Sequence, residues 1–218
     1  RINAFQVYTG NGDEKKWVGG QQEGQEPGIL YLYQADGIYR SYDEIPANLV
    51  RKYGSRTYYG PEAWNKLTAE QQNATTNFPI QPGDTKFHDV NGDDVIDEFD
   101  KVKVGATSPR WTGGFNTTLR WKNFQLYGRF DYALGFWLYE NSGTQSTTPW
   151  FMGCYQGTYN TPTMYYDTWS ESNPNAKYPR YLFADQNGKN NYIASTMFAY
   201  RGDYLAIREI SLSYSLPE

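Results

Sequence analysis

Residues 112–136 alternate between apolar and polar side chains with a period of two, which is the pattern of β-strands and not of helices. The dipeptide Lys122-Asn123 interrupts the alternation and indicates a tight turn between two strands. One face of this strand pair is mainly apolar and carries Phe115, Thr117, Leu119, Trp121, Phe124, Leu126, Phe130, Tyr132, Leu134 and Phe136. The pattern therefore predicts an antiparallel β-hairpin with one apolar face and one polar face.

Residues 203–216 alternate in a similar but less regular way. Arg208 interrupts the more apolar face, whereas Leu205 and Ile207 interrupt the polar one. A strict period of two predicts that the apolar face carries Tyr204, Ala206, Ile210, Leu212, Tyr214 and Leu216. We expect a further strand of the same kind, with a less definite apolar face.

Two kinds of sheet contain such strands: a soluble antiparallel sheet with one buried face, and the wall of a barrel that faces lipid. Two features favour the barrel. A two-residue turn at one end of the hairpin is opposed by a long connection at the other, like the short periplasmic turns and long outer loops of such barrels. Aromatic residues also mark both ends of the hairpin, like interfacial girdles, at Trp121, Phe124, Phe136, Trp137 and Tyr139. The expected fold class is all-β, as part of a large antiparallel transmembrane β-barrel with long extracellular loops.

The rest of the chain is expected to be mostly loop. Residues 1–20 are expected to form a strand and a turn, and residues 21–111 one long extracellular loop. A second extracellular loop is expected over residues 137–202, before the strand at 203–216. Within the first loop a helix-like patch, Pro61–Gln72, begins with a proline, which is favoured at the first position of a helix.

Composition excludes several classes of protein. A formal net charge of -4 provides no basic surface for nucleic acid. The single cysteine, Cys154, rules out an internal disulfide framework. No run approaches the ~18 consecutive apolar residues of a membrane helix. Aromatic residues make up 18% of the chain, and amphipathic Tyr and Trp favour half-wet surfaces such as membrane interfaces or sugar-binding faces.

An acidic loop at residues 89–100 has the ligand spacing of an EF-hand-like calcium site. Counting from the first residue, oxygen-bearing side chains and one backbone carbonyl fall at the ligand positions, at Asp89, Asn91, Asp93, Val95, Asp97 and Asp100. The loop departs from the pattern at position 6, where Asp94 replaces glycine, and at position 12, where Asp100 is shorter than glutamate. The spacing predicts a structural Ca²⁺ site; a solvated acidic loop and a catalytic carboxylate pair are the alternatives.

Five segments occur in a characteristic order along the chain. They are Glu26-Pro27-Gly28 with Tyr31-Leu32-Tyr33 and Asp36-Gly37-Ile38-Tyr39; Pro82-Gly83-Asp84 with the acidic loop; Pro109-Arg110-Trp111-Thr112-Gly113-Gly114 with the hairpin; Trp169 with Asn173-Pro174-Asn175-Ala176-Lys177-Tyr178-Pro179-Arg180; and Tyr204-Leu205 through Leu216-Pro217. In this order the chain resembles the C-terminal part of SusC/RagA-type TonB-dependent outer-membrane transporters of Bacteroidetes. The resemblance implies a fragment without plug, TonB-box segment, early strands or final strands, which cannot alone close a barrel of about 22 strands.

The resemblance also implies partners and a location. The cell outer membrane would hold the chain in lipid, a SusD-like surface lipoprotein would cover the barrel, and TonB would act through the plug. The cargo would be an oligosaccharide or a peptide. Contact with the lipoprotein or cargo is expected from aromatic loop residues, against the alternative of packing within the loop, at Trp64, Trp150, Phe151, Tyr155, Tyr159, Tyr165, Tyr166 and Trp169.

An enzyme is not expected. A glycoside hydrolase needs two carboxylates across a cleft, and the acids of this chain do not follow a recognisable cleft motif. The only histidine, His88, lies beside the acidic loop without the spacing of a Ser/His/Asp triad or a metal hydrolase.

A soluble carbohydrate-binding β-sandwich with a structural calcium is the second alternative. Its aromatic residues, calcium-like loop and antiparallel strands would look similar in sequence. That fold predicts a turn about every 8–12 residues, which the long loops of this chain do not provide.

Overall fold

The computed structural model describes residues 7–9, 15–17, 25–139, 167–180, 191 and 193–217. These residues form mostly strands with few helices, which agrees with an all-β class. The strands are β1 Val7–Thr9, β2 Lys15–Trp17, β3 Ile29–Tyr33, β4 Ala35–Ile38, β5 Val50–Tyr53, β6 Arg56–Tyr59, β7 Asn77–Pro79, β8 Thr85–Phe87, β9 Val95–Ile96, β10 Lys101–Ala106, β11 Trp111–Trp121, β12 Phe124–Leu134, β13 Trp137–Tyr139, β14 Ala199–Arg201 and β15 Tyr204–Tyr214. The α-helices are α1 Pro61–Asn65 and α2 Ala69–Gln72.

The strands assemble into separate sheets of two to four strands, and the described residues do not close a barrel. The longest is the three-stranded sheet β11-β12-β15, which is antiparallel throughout. Within the described residues, no helix has both the length and the apolar character needed to cross a membrane.

The hairpin β11-β12 has the register that the sequence predicts. Its pairs run without interruption from Trp111 opposite Leu134 to Trp121 opposite Phe124. Directly opposed residues share a face of a sheet, so this register confirms the predicted separation of apolar and polar faces. The turn needs a left-handed residue, and Lys122 provides it with a φ of 54°.

In strand β15 the side chains alternate between the two faces of the sheet differently from the prediction. A β-bulge lies at Arg208, because Glu209 opposes Arg129 while Ile207 opposes Phe130. One extra residue shifts every following side chain to the other face of the sheet. The apolar face therefore carries Leu205, Ile207, Ile210, Leu212 and Tyr214, and the assignment of Tyr204 and Ala206 to that face is wrong.

The segment predicted as a loop at 21–111 contains the eight strands β3 to β10. Residues 25–110, together with residues 167–180, 191 and 193–198, form what we call the lobe. Its apolar core consists of residues from distant parts of the chain, namely Tyr33, Tyr39, Ile45, Leu49, Tyr58, Ile80, Phe87, Ile96 and Ile193. Strands of two to six residues are too short to show a clear period of two, so the sequence pattern did not indicate them.

The helix-like patch is two short helices and not one. Pro61 occupies the first turn of α1, as expected. The chain then leaves the helical conformation at Thr68, which caps α2 by accepting a hydrogen bond from the backbone N–H of Gln71. A capping threonine favours a new helix start, which explains the break.

Candidate functional site

Within the part of the chain that the structure describes, no layer covers the apolar face of the three-stranded sheet. Leu212 is 70% exposed and Ile210 is 64% exposed, and both lie in the C-terminal half of β15. The same face exposes further large side chains, at Trp111, Phe115, Leu119, Trp121, Phe124, Leu126, Leu134, Leu205, Ile207 and Tyr214. A contiguous apolar surface of this kind marks contact with a membrane or another protein.

Aromatic rings form a row at the turn end of this face. The rings of Trp121 and Phe124 are stacked at 6.3 Å, and Phe124 contacts Tyr214 at 4.7 Å. The row therefore spans all three strands at one level. Such a row has the arrangement of an aromatic girdle at a membrane–water interface.

The opposite face of the sheet is polar and holds a cavity of about 510 Å³. The side chains of Asn116, Tyr127, Arg129 and Asp131 line it. Arg208, the bulged residue, reaches across to Asp131, with its Nη2 atom 2.9 Å from a carboxylate oxygen. The bulge thus turns an arginine from the apolar side to the polar side, where it forms an ion pair.

A joint connects the three-stranded sheet to the strand pair β13-β14, and it consists of Gly135, Phe136, Gly202 and Asp203. Strands β12 and β15 continue as the pair β13-β14, but the ladder is interrupted at Gly135 and Asp203. The Asp203 carboxylate accepts hydrogen bonds from the backbone N–H of Gly135 at 2.6 Å and of Phe136 at 3.3 Å. The Phe136 ring is buried against Gly202, where a Cβ atom would lie 2.2 Å from the ring. Sequence reasoning placed Phe136 on the apolar face of the hairpin and did not identify this joint.

The acidic loop is folded by its own carboxylates. Asp89 accepts hydrogen bonds from the backbone N–H of Gly92 at 2.7 Å and of Asp94 at 2.8 Å. Asp93 accepts one from Val95 at 2.8 Å. Asp94, which stands where calcium loops carry glycine, has a φ of 60°. The departure at this position is therefore accommodated, because aspartate tolerates the left-handed conformation better than most residues.

Asp100 closes the loop from inside the lobe. Its side chain is fully buried and accepts hydrogen bonds from the backbone N–H of Val90 and Asp97, each at 2.8 Å. Burial raises the pKa of Asp100 above its ordinary value, while these two backbone hydrogen bonds act in the opposite direction.

The donor set of the acidic loop is all oxygen, which suits Ca²⁺, and a carboxylate oxygen that accepts one N–H keeps a second lone pair. Within the described part of the chain, however, no three His, Cys, Asp or Glu side chains converge to hold a metal. In this conformation the loop is not a closed metal cage. Calcium at the six predicted ligand positions stays a prediction.

Two of the aromatic residues proposed for partner contact lie in the described chain. Trp64 is half-buried and its ring centroid lies 6.2 Å from that of Tyr59. Trp169 packs over Gly83, where a Cβ atom would lie 2.4 Å from the indole. Both therefore make contacts within the lobe. The others lie outside the described residues, namely Trp150, Phe151, Tyr155, Tyr159, Tyr165 and Tyr166.

Sequence reasoning missed the buried polar centre of the lobe. Asp84 is fully buried and pairs with Arg180, Nε to Oδ1 at 2.7 Å. It also accepts hydrogen bonds from the backbone N–H of Gln81 at 2.9 Å and from the side chain of Asn191 at 3.3 Å. These bonds tie three separate segments together. Arg180 and Asn191 are about a hundred residues away from Asp84 in sequence, so no local motif could indicate them.

Comparison with known proteins finds two receptors to which this chain is similar. No protein-family model matches the chain. The chain is similar to TonB-dependent receptor P3 of Formosa agariphila, with 28% identity over 145 residues, which cover 66% of this chain and 13% of that protein. It is also similar to TonB-dependent receptor P26 of the same organism, with 25% identity over 139 residues, 64% of this chain and 13% of that protein.

The matched region thus spans 13% of the length of each of these relatives. Both matches are partial and moderately distant. Both carry the same family name, and together they support the TonB-dependent receptor family for this chain.

Proposed function

We propose that this chain is part of the wall and outer surface of a TonB-dependent transporter in the outer membrane. The observation that carries the proposal is the uncovered apolar face of the three-stranded sheet. Each of its strands is eleven residues long. At about 3.3 Å per residue such a strand measures about 36 Å, and a tilt of about 45° reduces its height to about 26 Å. The apolar band of an outer-membrane barrel is about 25 Å tall.

The two ends of the sheet differ, and this difference supports an orientation. The turn end has only the dipeptide between β11 and β12, while the other end leads into the lobe. Short turns face the periplasm and long connections face outward in such barrels. The lobe would therefore lie outside the cell, and the polar face with Asp131 and Arg208 would line the barrel interior.

We place the chain in the SusC/RagA subtype, on the order of its five sequence segments. A SusD-like surface lipoprotein would then bind the outer side of the lobe, and TonB would act through a plug that belongs to the whole transporter. The cargo class is an oligosaccharide or a peptide. The half-wet aromatic residues of the lobe, such as Trp64, are suited to either.

Calcium is proposed as the ion for the acidic loop, on the basis of its spacing and oxygen donors. Asp93→Ala is expected to abolish calcium binding measured by calorimetry on the intact protein. Asp43→Ala, at an exposed acid outside the loop, is the matched control and should bind as wild type does. Equal binding by both variants would remove the assignment.

The soluble calcium-bearing β-sandwich remains the competing function. It requires a protein layer over the apolar face, and the described residues do not provide one. Membrane fractionation of the intact protein separates the two functions. We expect the protein in the outer-membrane pellet after alkaline extraction, with a lipoprotein retained in mild detergent. Recovery as a soluble monomer would refute the transporter, while membrane association without a lipoprotein would refute only the subtype.

A further inference from the structure

Arg51 lies at the centre of the lobe, on β5. Its side chain is among the largest that are fully enclosed, with 2% exposure. Two aromatic rings enclose its guanidinium: the central carbon lies 4.3 Å from the ring centroid of Tyr58 and 4.9 Å from that of Phe87. Burial lowers the pKa of Arg51, but arginine does not lose its proton in proteins, so a positive charge stays in the core.

This guanidinium lacks a paired carboxylate in the described part of the chain. Its Nε and Nη2 atoms are buried and have no hydrogen-bond partner. The buried carboxylate whose charge acts on it is Asp84, which is already bonded to Arg180, Asn191 and the backbone of Gln81. Asp84 is therefore bonded to the partly exposed Arg180, and within the described residues no carboxylate is hydrogen-bonded to the Nε or Nη2 atom of Arg51.

The unpaired donors and the unpaired charge are separate problems. Ordered water could satisfy the two N–H groups, because water bridges buried polar atoms in many proteins. Water would leave the guanidinium without a directly bonded counter-charge, and a buried ion is far costlier than a buried polar group unless it is paired. The aromatic faces attract a cation, but they do not carry a counter-charge. A bound anion resolves both problems at once.

Two further buried hydroxyl groups belong to residues in the neighbourhood of Phe87. Thr85 precedes Phe87 by two residues on β8 and is buried on the same side of that strand. Ser195 pairs with Tyr33, whose ring contacts Phe87 at 6.0 Å. The hydroxyl groups of both residues are buried and lack a hydrogen-bond partner in the described structure. The region around Phe87 therefore has hydroxyl donors in addition to the guanidinium.

We propose that Arg51 holds a small inorganic anion, of the size and charge of chloride, within the lobe core, with Thr85 and Ser195 as neighbouring donors. The anion would be a resident structural ligand and not cargo, because Arg51 is closed off from solvent. This site is independent of transport, and it would persist if the proposed function failed.

Thermal unfolding of the intact protein in chloride and in gluconate, at one ionic strength, tests the site. With chloride at ten times its dissociation constant, the unfolding equilibrium constant of the lobe should fall about 11-fold, since the ligand binds only the folded state. Arg51→Met, which keeps the length of the side chain without its charge, should lose the chloride dependence. Arg40→Met, at an exposed arginine, should keep it. A wild-type protein without chloride dependence, or an Arg51→Met variant that retains it, would refute the site.

A second measurement needs no variant. Crystals of the wild-type protein grown in sodium bromide should show an anomalous peak within hydrogen-bond distance of the Nε and Nη2 atoms of Arg51. A peak only at the protein surface, or ordered water beside Arg51, would overturn the proposal even if Arg51→Met failed to fold.

Discussion

The three-stranded sheet and the lobe use apolar and polar residues in opposite ways. In the sheet, large apolar side chains such as Leu212 face outward, and the charged pair of Arg208 and Asp131 lies on the other face. In the lobe, large aromatic residues such as Tyr33 and Tyr58 are inside, and so are the charged groups of Asp84 and Arg51. The sheet therefore presents its apolar side chains to its surroundings, whereas the lobe encloses its own apolar and charged groups. Because the two regions differ in this way, an experiment that changes one region can use the other as an internal reference.

The largest effect is expected from Asp84→Ala, which breaks the lobe network. Breaking a buried ion pair costs about 3–5 kcal/mol, and removal of Asp84 takes a shared acceptor from both Arg180 and the buried Asn191. Hydrogen exchange of the intact protein should show loss of protection in the lobe, while the hairpin β11-β12 keeps its protection. Asp36→Ala is the matched control.

Asp36 pairs with His88 at 2.8 Å, and this pair is exposed. An exposed ion pair is worth about 0–1 kcal/mol, so the control should leave lobe protection almost unchanged. Equal losses in the two variants would mean that the buried network does not support the lobe.

The next effect is expected from charges placed on the sheet. Ile210→Arg puts a cation at the centre of the apolar face, and Ser211→Arg puts one on the polar face of the same strand. A cation facing lipid at the bilayer midplane costs about 2–4 kcal/mol. Ile210→Arg should therefore reduce the amount of folded protein in the outer membrane, measured by heat-modifiable migration in gels, more than Ser211→Arg does.

If Ile210→Arg accumulates as wild type does, the exposed face does not meet lipid. A soluble protein would tolerate this substitution, because Ile210 is 64% exposed in the described structure. The pair of variants thus separates a lipid-facing sheet from a soluble one without knowledge of the cargo.

Alkaline pH is expected to weaken the lobe before the sheet. Burial raises the pKa of Tyr39 to about 12 from an ordinary value of 10.0. A folded-state pKa above the unfolded one stabilises the protein fully below pH 10, and this stabilisation is lost as the pH rises toward 12. The shift corresponds to about 2–3 kcal/mol. Hydrogen exchange between pH 9 and 11 should show falling lobe stability in wild type and a weaker fall in Tyr39→Phe, and the same fall in both would exclude Tyr39 as the cause.

The same contrast between the sheet and the lobe explains how much of each region the sequence predicts. The hairpin could be predicted with its faces, because eleven-residue strands display their period of two in local sequence. The irregularity at Arg208 was visible, but a strict period cannot express the extra residue of a bulge. The pairing partner, Asp131, lies on another strand.

The sequence predicts a loop where the lobe forms, because contacts between residues that are far apart in the chain hold the lobe together. The Pro82-Gly83-Asp84 sequence shows a turn, yet Asp84 is held by Arg180 and Asn191. Likewise, Arg51 in a short strand gives no local sign of burial between Tyr58 and Phe87. The spacing of the acidic loop is visible in the sequence, since its hydrogen bonds join residues that are close together in the chain. The convergence of side chains on a metal is not a local property of the sequence.

The smallest effect is expected at the joint between the two regions. Gly202→Ala adds a Cβ atom that would lie 2.2 Å from the Phe136 ring. Overpacking of this kind costs about 1–3 kcal/mol. Phe136→Leu removes the opposing ring atoms, so the double variant should be more stable than the sum of the single effects predicts, and chemical denaturation of the set measures this coupling. Additive effects would mean that Phe136 and Gly202 do not hold the sheet to the lobe. Coupling would mean that the three-stranded sheet and the strand pair β13-β14 act as one unit through this contact, across the interruption of the ladder at Gly135 and Asp203.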